Sequence, residues 1–154
     1  MNNINFAPLY PEIFLLIATC AMAGALAIGG ALGLVVGYVG GWIETLVMRV
    51  ADMMLSFPTL LLAMVLIYMF QPSFLILVLV LGATRVPAYL RVARAETLSV
   101  RQQDYVQGAA ALGARHGRII TRHIAPVVAP TLVTLAAVDL AYVILLESSL
   151  SFLG

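Results

Sequence analysis

The chain reads as four long apolar runs separated by short polar breaks. Ile13 to Ile43 carries no charge, and Met53 to Phe70 follows a turn or two bearing Glu44, Arg49 and Asp52. Phe74 to about Leu90 is broken by Arg85, and Ile124 to Leu146 contains one acid, Asp139. Each run approaches or exceeds the roughly 20 residues that cross a bilayer as helix. The runs are too long and too unalternating for barrel strands, and backbone in hydrocarbon must satisfy its own hydrogen bonds. The pattern predicts an all-α, polytopic membrane protein of about four transmembrane helices.

Within those helices a few residues break the apolar monotony. Gly29, Gly33, Gly37 and Gly41 recur every four positions, lining one helix face with glycine so that another backbone can come close. Tight helix packing is the main reading of that face, and lining of a permeation path the lesser one. Pro58, in "LSFPTLL", is expected to kink or restart the second helix. Arg85 is expected near the cytoplasmic boundary, reaching the headgroups. Asp139 sits about midway along the fourth run, where a carboxylate is costly. It either lines a polar cavity or hydrogen-bonds a neighbouring helix.

Composition and charge add sidedness. Mean hydropathy is +1.07 with 63% hydrophobic and 10% charged residues, more apolar surface than a soluble core of 154 residues could hide. All eight basic residues are Arg, at 49, 85, 91, 94, 101, 115, 118 and 122. With four spans the connections alternate sides. Residues 1–12, 71–73 and the tail after Glu147 hold no Arg, whereas the 40–52 and 91–123 connections hold nearly all of it. Cytoplasmic loops carry the excess of Arg and Lys, so these two connections are predicted cytoplasmic and both chain ends external. Such ends lead to the expectation that the chain is part of a longer one. "LLIATC" and "ALA" near the start loosely resemble processing sites, but "MNNINFAPLYPE" has no basic residue to precede them. Cys20 is expected as a small apolar filler.

Several chemistries find no support. A phosphate-binding P-loop needs a lysine, and the chain has none. His116 and His123 are seven apart with no HExxH motif, which gives no metal site. "ESSLSFLG" has no nucleophile elbow and no paired histidine. One-sided arginines follow from topology and do not argue for nucleic acid.

The polar insert "QGAAALGARHGRIITRHIAP" (107–126) is the informative exception. Tyr105, Ala109 and Leu112 follow helical spacing as one apolar stripe, and Gly113 fits a helix stop. A second short helix from Arg115 would put Arg115, Arg118 and Arg122 on one face, with Ile119, Ile120 and His123 turned away. Pro126 fits the first turn of the last span. Two short helices with a sharp bend suit either an anionic lipid surface or a knob docking in a partner's groove.

"DYVQGAAALGARHGRIITRHIAP" resembles the cytoplasmic-loop signature of binding-protein-dependent ABC importer permeases. That signature is Glu-Ala-Ala, then a Gly six residues after the Glu and a Pro thirteen beyond it. Gln107, Gly108 and Ala109 take the first three places, Gly113 the glycine and Pro126 the proline. "GGWIETLVMRVADMMLSFPTLLLA", "RVARAETLSV" and "LESSLSFLG" are similar to the dipeptide, oligopeptide and nickel subfamily, second permease subunit. The resemblance covers nearly the whole chain, weakest before about Leu26. Gln107 stands for the usual Glu, Gly108 for the usual Ala and Ala125 for the usual Leu, and Gly108 should weaken the first short helix.

The resemblance implies a partial type I importer transmembrane domain over residues 1–154, with a cytoplasmic coupling loop at 96–125 and further spans before Ile13 and after Gly154. It implies a multi-pass protein of the inner (plasma) membrane that neither catalyses nor holds a cofactor or metal. The partners implied are a second permease subunit, two cytoplasmic ABC ATPases, an extracytoplasmic solute-binding protein and membrane lipid, with no nucleic acid. Tyr105, Gln107, Gly108, Ala109, Leu112, Gly113 and Pro126 would couple to the ATPase, and Asp139 is a candidate for the translocation path. The competing readings are a secondary transporter using Asp139 as a proton or ion site, and a non-transporting scaffold built on the glycine face.

Overall fold

The computed structural model describes residues 11–56, 65, 68–69 and 74–153. Helices α1 (Pro11–Val39), α2 (Gly41–Ser56), α3 (Phe74–Arg101), α4 (Asp104–Ala111), α5 (His116–Ile119) and α6 (Ala125–Leu153) follow in order, with a π-helical turn at Ile120–Ile124 joining the last two. No strand occurs among the described residues. Two stretches, 15–39 and 116–145, are by length and composition apolar enough to cross a membrane.

The tightest packing is between α1 and α3, and glycine creates it. A Cβ on Gly29 would stand 2.6 Å from the Val86 carbonyl oxygen and 2.9 Å from Tyr89 Cβ. On Gly33 it would stand 2.5 Å from Ala93 Cβ, and on Gly37 2.9 Å from both the Arg94 carbonyl oxygen and Thr97 Cβ. At the other end Gly82 of α3 lies against Ala21. Sequence numbers rise together on the two helices, so α1 and α3 are parallel. The chain between them must therefore return across the same thickness.

α2 begins that return. Glu44 pairs with Arg94 and Asp52 with Arg91, so α2 runs against α3, with Ala51 buried. α6 is antiparallel to both long helices: Leu132 abuts Gly30, and further along Asp139 reaches Arg85 and Tyr89. The core is Ala25, Tyr89, Ala93, Val100, Val106, Ile119, Ile124, Val128 and Leu132, all on or beside this α1–α3–α6 seam.

Several boundaries differ from the sequence pattern. The first apolar run does not form one span, because Gly40 and Gly41 both take φ +69° and turn the chain, which hands Trp42 and Ile43 to α2. Gly41 consequently belongs to the turn and not to the glycine face. Arg85 does not break the third run, since α3 continues through it and through Pro87 to Arg101. Most of the second expected span, and Pro58 with it, lies outside the described residues.

The last span also starts earlier than its hydropathy indicates. The Ala125 N–H reaches back five residues to the Ile120 carbonyl oxygen, a wide turn placed directly before Pro126, which has no N–H to give. In an α-helix, residues five apart point about 140° apart. Across the wide turn Ile119 and Ile124 are instead both buried, at 1% and 0% exposure.

The glycine contact is testable by adding one methyl group. Gly33→Ala should destabilise the protein in detergent micelles by about 1–3 kcal/mol, because the atoms it meets include backbone. Gly24→Ala, on the same helix with nothing within 4 Å, should be neutral or stabilising by up to about 1 kcal/mol. Thermal or denaturant unfolding of the two variants decides.

Candidate functional site

The polar insert folds as one short helix and a tight turn, then runs straight into the long final helix. α4 caps its C-terminus as a Schellman motif. The Ala114 N–H donates to the Ala109 carbonyl and the Gly113 N–H to the Ala110 carbonyl, with Gly113 at φ +83°. Space around Gly113 is open, so the constraint there is backbone conformation and not crowding. The expected second short helix is not a separate unit, because α5 continues through the π turn into α6. Pro126 lies in the first turn of α6, but the helix already runs from His116 through the π turn, so Pro126 does not begin the span as its sequence suggests. Gly108 does not prevent α4 from forming; its carbonyl accepts the Leu112 N–H at 3.0 Å.

An eight-residue helix is marginal alone and needs an anchor. The anchor is Val106, buried with Val100 and Ile119, and not the stripe that helical spacing suggests. Tyr105 and Leu112 face outward, Leu112 at 91% exposure, while Ala109 is half-buried. Gln107 Nε2 donates to the Gln102 carbonyl oxygen at 3.0 Å, tying α4 to the end of α3. Arg115, Arg118 and Arg122 are exposed, Ile119 is buried, and Ile120 and His123 are half-buried, as expected.

One long-range contact ties this turn to the helices, and a second joins the ends of α1 and α3 beside it. Tyr38 Oη and His116 Nδ1 are 2.8 Å apart, joining the end of α1 to the start of α5. Arg101 donates to the Tyr38 carbonyl oxygen at 2.9 Å, and its guanidinium stands 6.0 Å from the centre of the Tyr38 ring. With Glu44–Arg94 and Asp52–Arg91, these contacts gather α1, α2, α3 and α5 at one end of the bundle. Nothing in the local sequence marks Tyr38 as a partner of His116.

Deeper in the apolar region, Arg85 Nη1 donates to Asp139 Oδ1 at 3.2 Å and Tyr89 Oη donates to Asp139 Oδ2 at 3.1 Å. Arg85 is therefore not a headgroup-seeking arginine. It is the counter-ion of Asp139, because an ion pair costs far less in an apolar setting than two separate charges. Of the two readings of Asp139, the bond to a neighbouring helix is the one present. No cluster of three metal-ligating side chains occurs among the described residues.

Comparison with known proteins agrees with this architecture. The family described as "Binding-protein-dependent transport system inner membrane component" matches residues 29–154. A dipeptide transport system permease protein of Alkalihalophilus pseudofirmus is 36% identical over 134 residues, 87% of this chain and 44% of that one. A glutathione transport system permease protein of Pectobacterium atrosepticum is 33% identical over 127 residues, 82% of this chain and 42% of that one. The chain thus spans less than half the length of these relatives.

The ion pair predicts a sign pattern in stability. Asp139→Asn leaves a guanidinium without its counter-charge and should cost about 3 kcal/mol, the low end for breaking a buried pair because the Arg85 side chain is 39% exposed. Adding Arg85→Gln should recover most of that loss. Unfolding midpoints of the single and double variants in micelles check it.

Proposed function

Because the chain belongs to the family of binding-protein-dependent transport system inner membrane components, we propose that it is a transmembrane permease subunit of an ATP-driven ABC importer. Its helices would form one wall of the solute path beside a second permease. Two cytoplasmic ATPases would supply the energy, and an external solute-binding protein would deliver the solute. The chain itself performs no hydrolysis in this reading. Short peptides are the favoured cargo, since the relatives are named for dipeptide and glutathione transport; nickel is the other cargo that the subfamily resemblance implies.

The observation that carries this reading is α4. A short helix anchored through Val106 and closed by a left-handed glycine presents Tyr105 and Leu112 to the outside. An apolar side chain with 91% of its surface bare on a polar loop suits a groove in a partner. Movement pressed onto α4 would pass through Val106 and Ile119 to α3 and α6, and through Tyr38–His116 to α1. Loop 96–125 would thereby convert ATPase closure into helix tilt, with Gln107, Gly108, Ala109, Gly113 and Pro126 setting its shape.

Observations weigh against the alternatives. Both oxygens of Asp139 are engaged by Arg85 and Tyr89 of a neighbouring helix, a helix-joining role that disfavours a secondary transporter working through Asp139. The glycine face at Gly29, Gly33 and Gly37 is filled by α3 of the same chain, which removes the surface a scaffold would use.

A groove reads shape and apolar contact, whereas lipid reads charge. Leu112→Asp should leave membrane insertion intact but abolish co-purification of the ATPase and ATP-dependent uptake. Gly113→Val should do the same through strain at φ +83°. Changing Arg118 and Arg122 to Gln should remove only lipid attraction of about 1 kcal/mol per Arg. Loss of ATPase in the arginine variant with retention in the other two would make the insert a lipid-binding surface.

A further inference from the structure

A guanidinium has five N–H donors, and Arg85 uses one of them, on Asp139. The others meet no partner among the described residues, and the side chain is 39% exposed where that of Asp139 is only 15% exposed. Arg85 lies six residues before Arg91, about 9 Å further along α3 from the Arg91–Asp52 pair. In lipid, unfilled donors on a charged group are costly, so this edge calls for a polar partner beyond the described residues.

The guanidinium is also held in place. Tyr89 is fully buried against the glycine face, its hydroxyl fixes one oxygen of Asp139, and the other oxygen fixes Arg85. The carboxylate is thus engaged on both oxygens, while the guanidinium keeps an edge that no described residue fills. That edge matches a planar, bidentate anion. The Asp139 charge already beside the guanidinium favours a singly charged carboxylate over a doubly charged phosphate.

We infer that Arg85, oriented by Asp139 and Tyr89, is a recognition point for a carboxylate of the transported solute. This rests on the permease reading. Asp139 and Tyr89 act only through Arg85 and are positioning residues.

The test is ATP-dependent uptake of a dipeptide and of the same dipeptide amidated at its C-terminus, by the complete transporter in proteoliposomes. Preference is the ratio of the two rates at subsaturating solute. In the Arg85→Gln/Asp139→Asn double variant the preference for the free carboxylate should fall roughly tenfold or more. Tyr89→Phe, which keeps the buried ring, should lower it roughly threefold. Arg85→Lys, which keeps the charge but not the planar edge, should lie between them. These ratios are insensitive to how much transporter assembles. An unchanged preference in Tyr89→Phe and Arg85→Lys would overturn the inference and leave the permease assignment standing. Absence of any ATP-dependent dipeptide uptake by the unaltered protein would overturn both.

Discussion

The close approach of α1 to α3 is the constraint from which the rest of the arrangement follows. Three glycines remove the side chains that would otherwise hold the helices apart, and Tyr89, Ala93 and Thr97 fill the space they leave. Lipid tails are as apolar as any side chain, so helices in a membrane associate through packing of this kind. The direction of the contact matters as much as its closeness. Because the two helices are parallel, their C-terminal ends, Val39 and Arg101, emerge together, and the turn that follows each is built at the same end of the bundle.

That shared end is where polar chemistry gathers. Arg91, Arg94 and Arg101 leave α3 beside Asp52, Glu44 and Tyr38, and the start of α5 joins them through His116. α4 is too short to stand alone and borrows its order from Val100 and Ile119. α5, the π turn and α6 follow without a break, so the near end of this helix touches the loop while its far part holds Asp139 against Arg85. Under the proposed coupling role, movement at the α4 knob would be passed along this helix.

Much of this was legible in the amino-acid pattern, and the exceptions have physical causes. The spacing of Gly29, Gly33 and Gly37 announces a close helix contact, and Gly113 announces a helix stop. What a uniformly apolar run does not announce is which way each face points, since no polar stripe marks the outside. The pairing of Arg85 with Asp139, 54 residues apart, and of Tyr38 with His116, 78 apart, therefore had no local signal. The break at Gly40–Gly41 was hidden because both flanks are apolar. Residues 115–124 mislead in the opposite direction. Their arginines and histidines suggest a separate surface helix, while the three-dimensional pattern is a membrane helix extended by a wide turn that re-aims Ile124 inward.

Sidedness of two positions tests the parallel α1–α3 pair and the loop it builds. With the exposed Cys20 replaced by Ala, single cysteines at Trp42, just after α1, and at Gln102, just after α3, would be exposed to a membrane-impermeant thiol reagent in intact cells and in inverted membrane vesicles. Both cysteines should react in inverted vesicles and neither in intact cells. Reaction of the two positions from opposite sides would contradict the parallel pairing, and reaction of both from outside would place the α4 knob beyond the reach of any cytoplasmic ATPase.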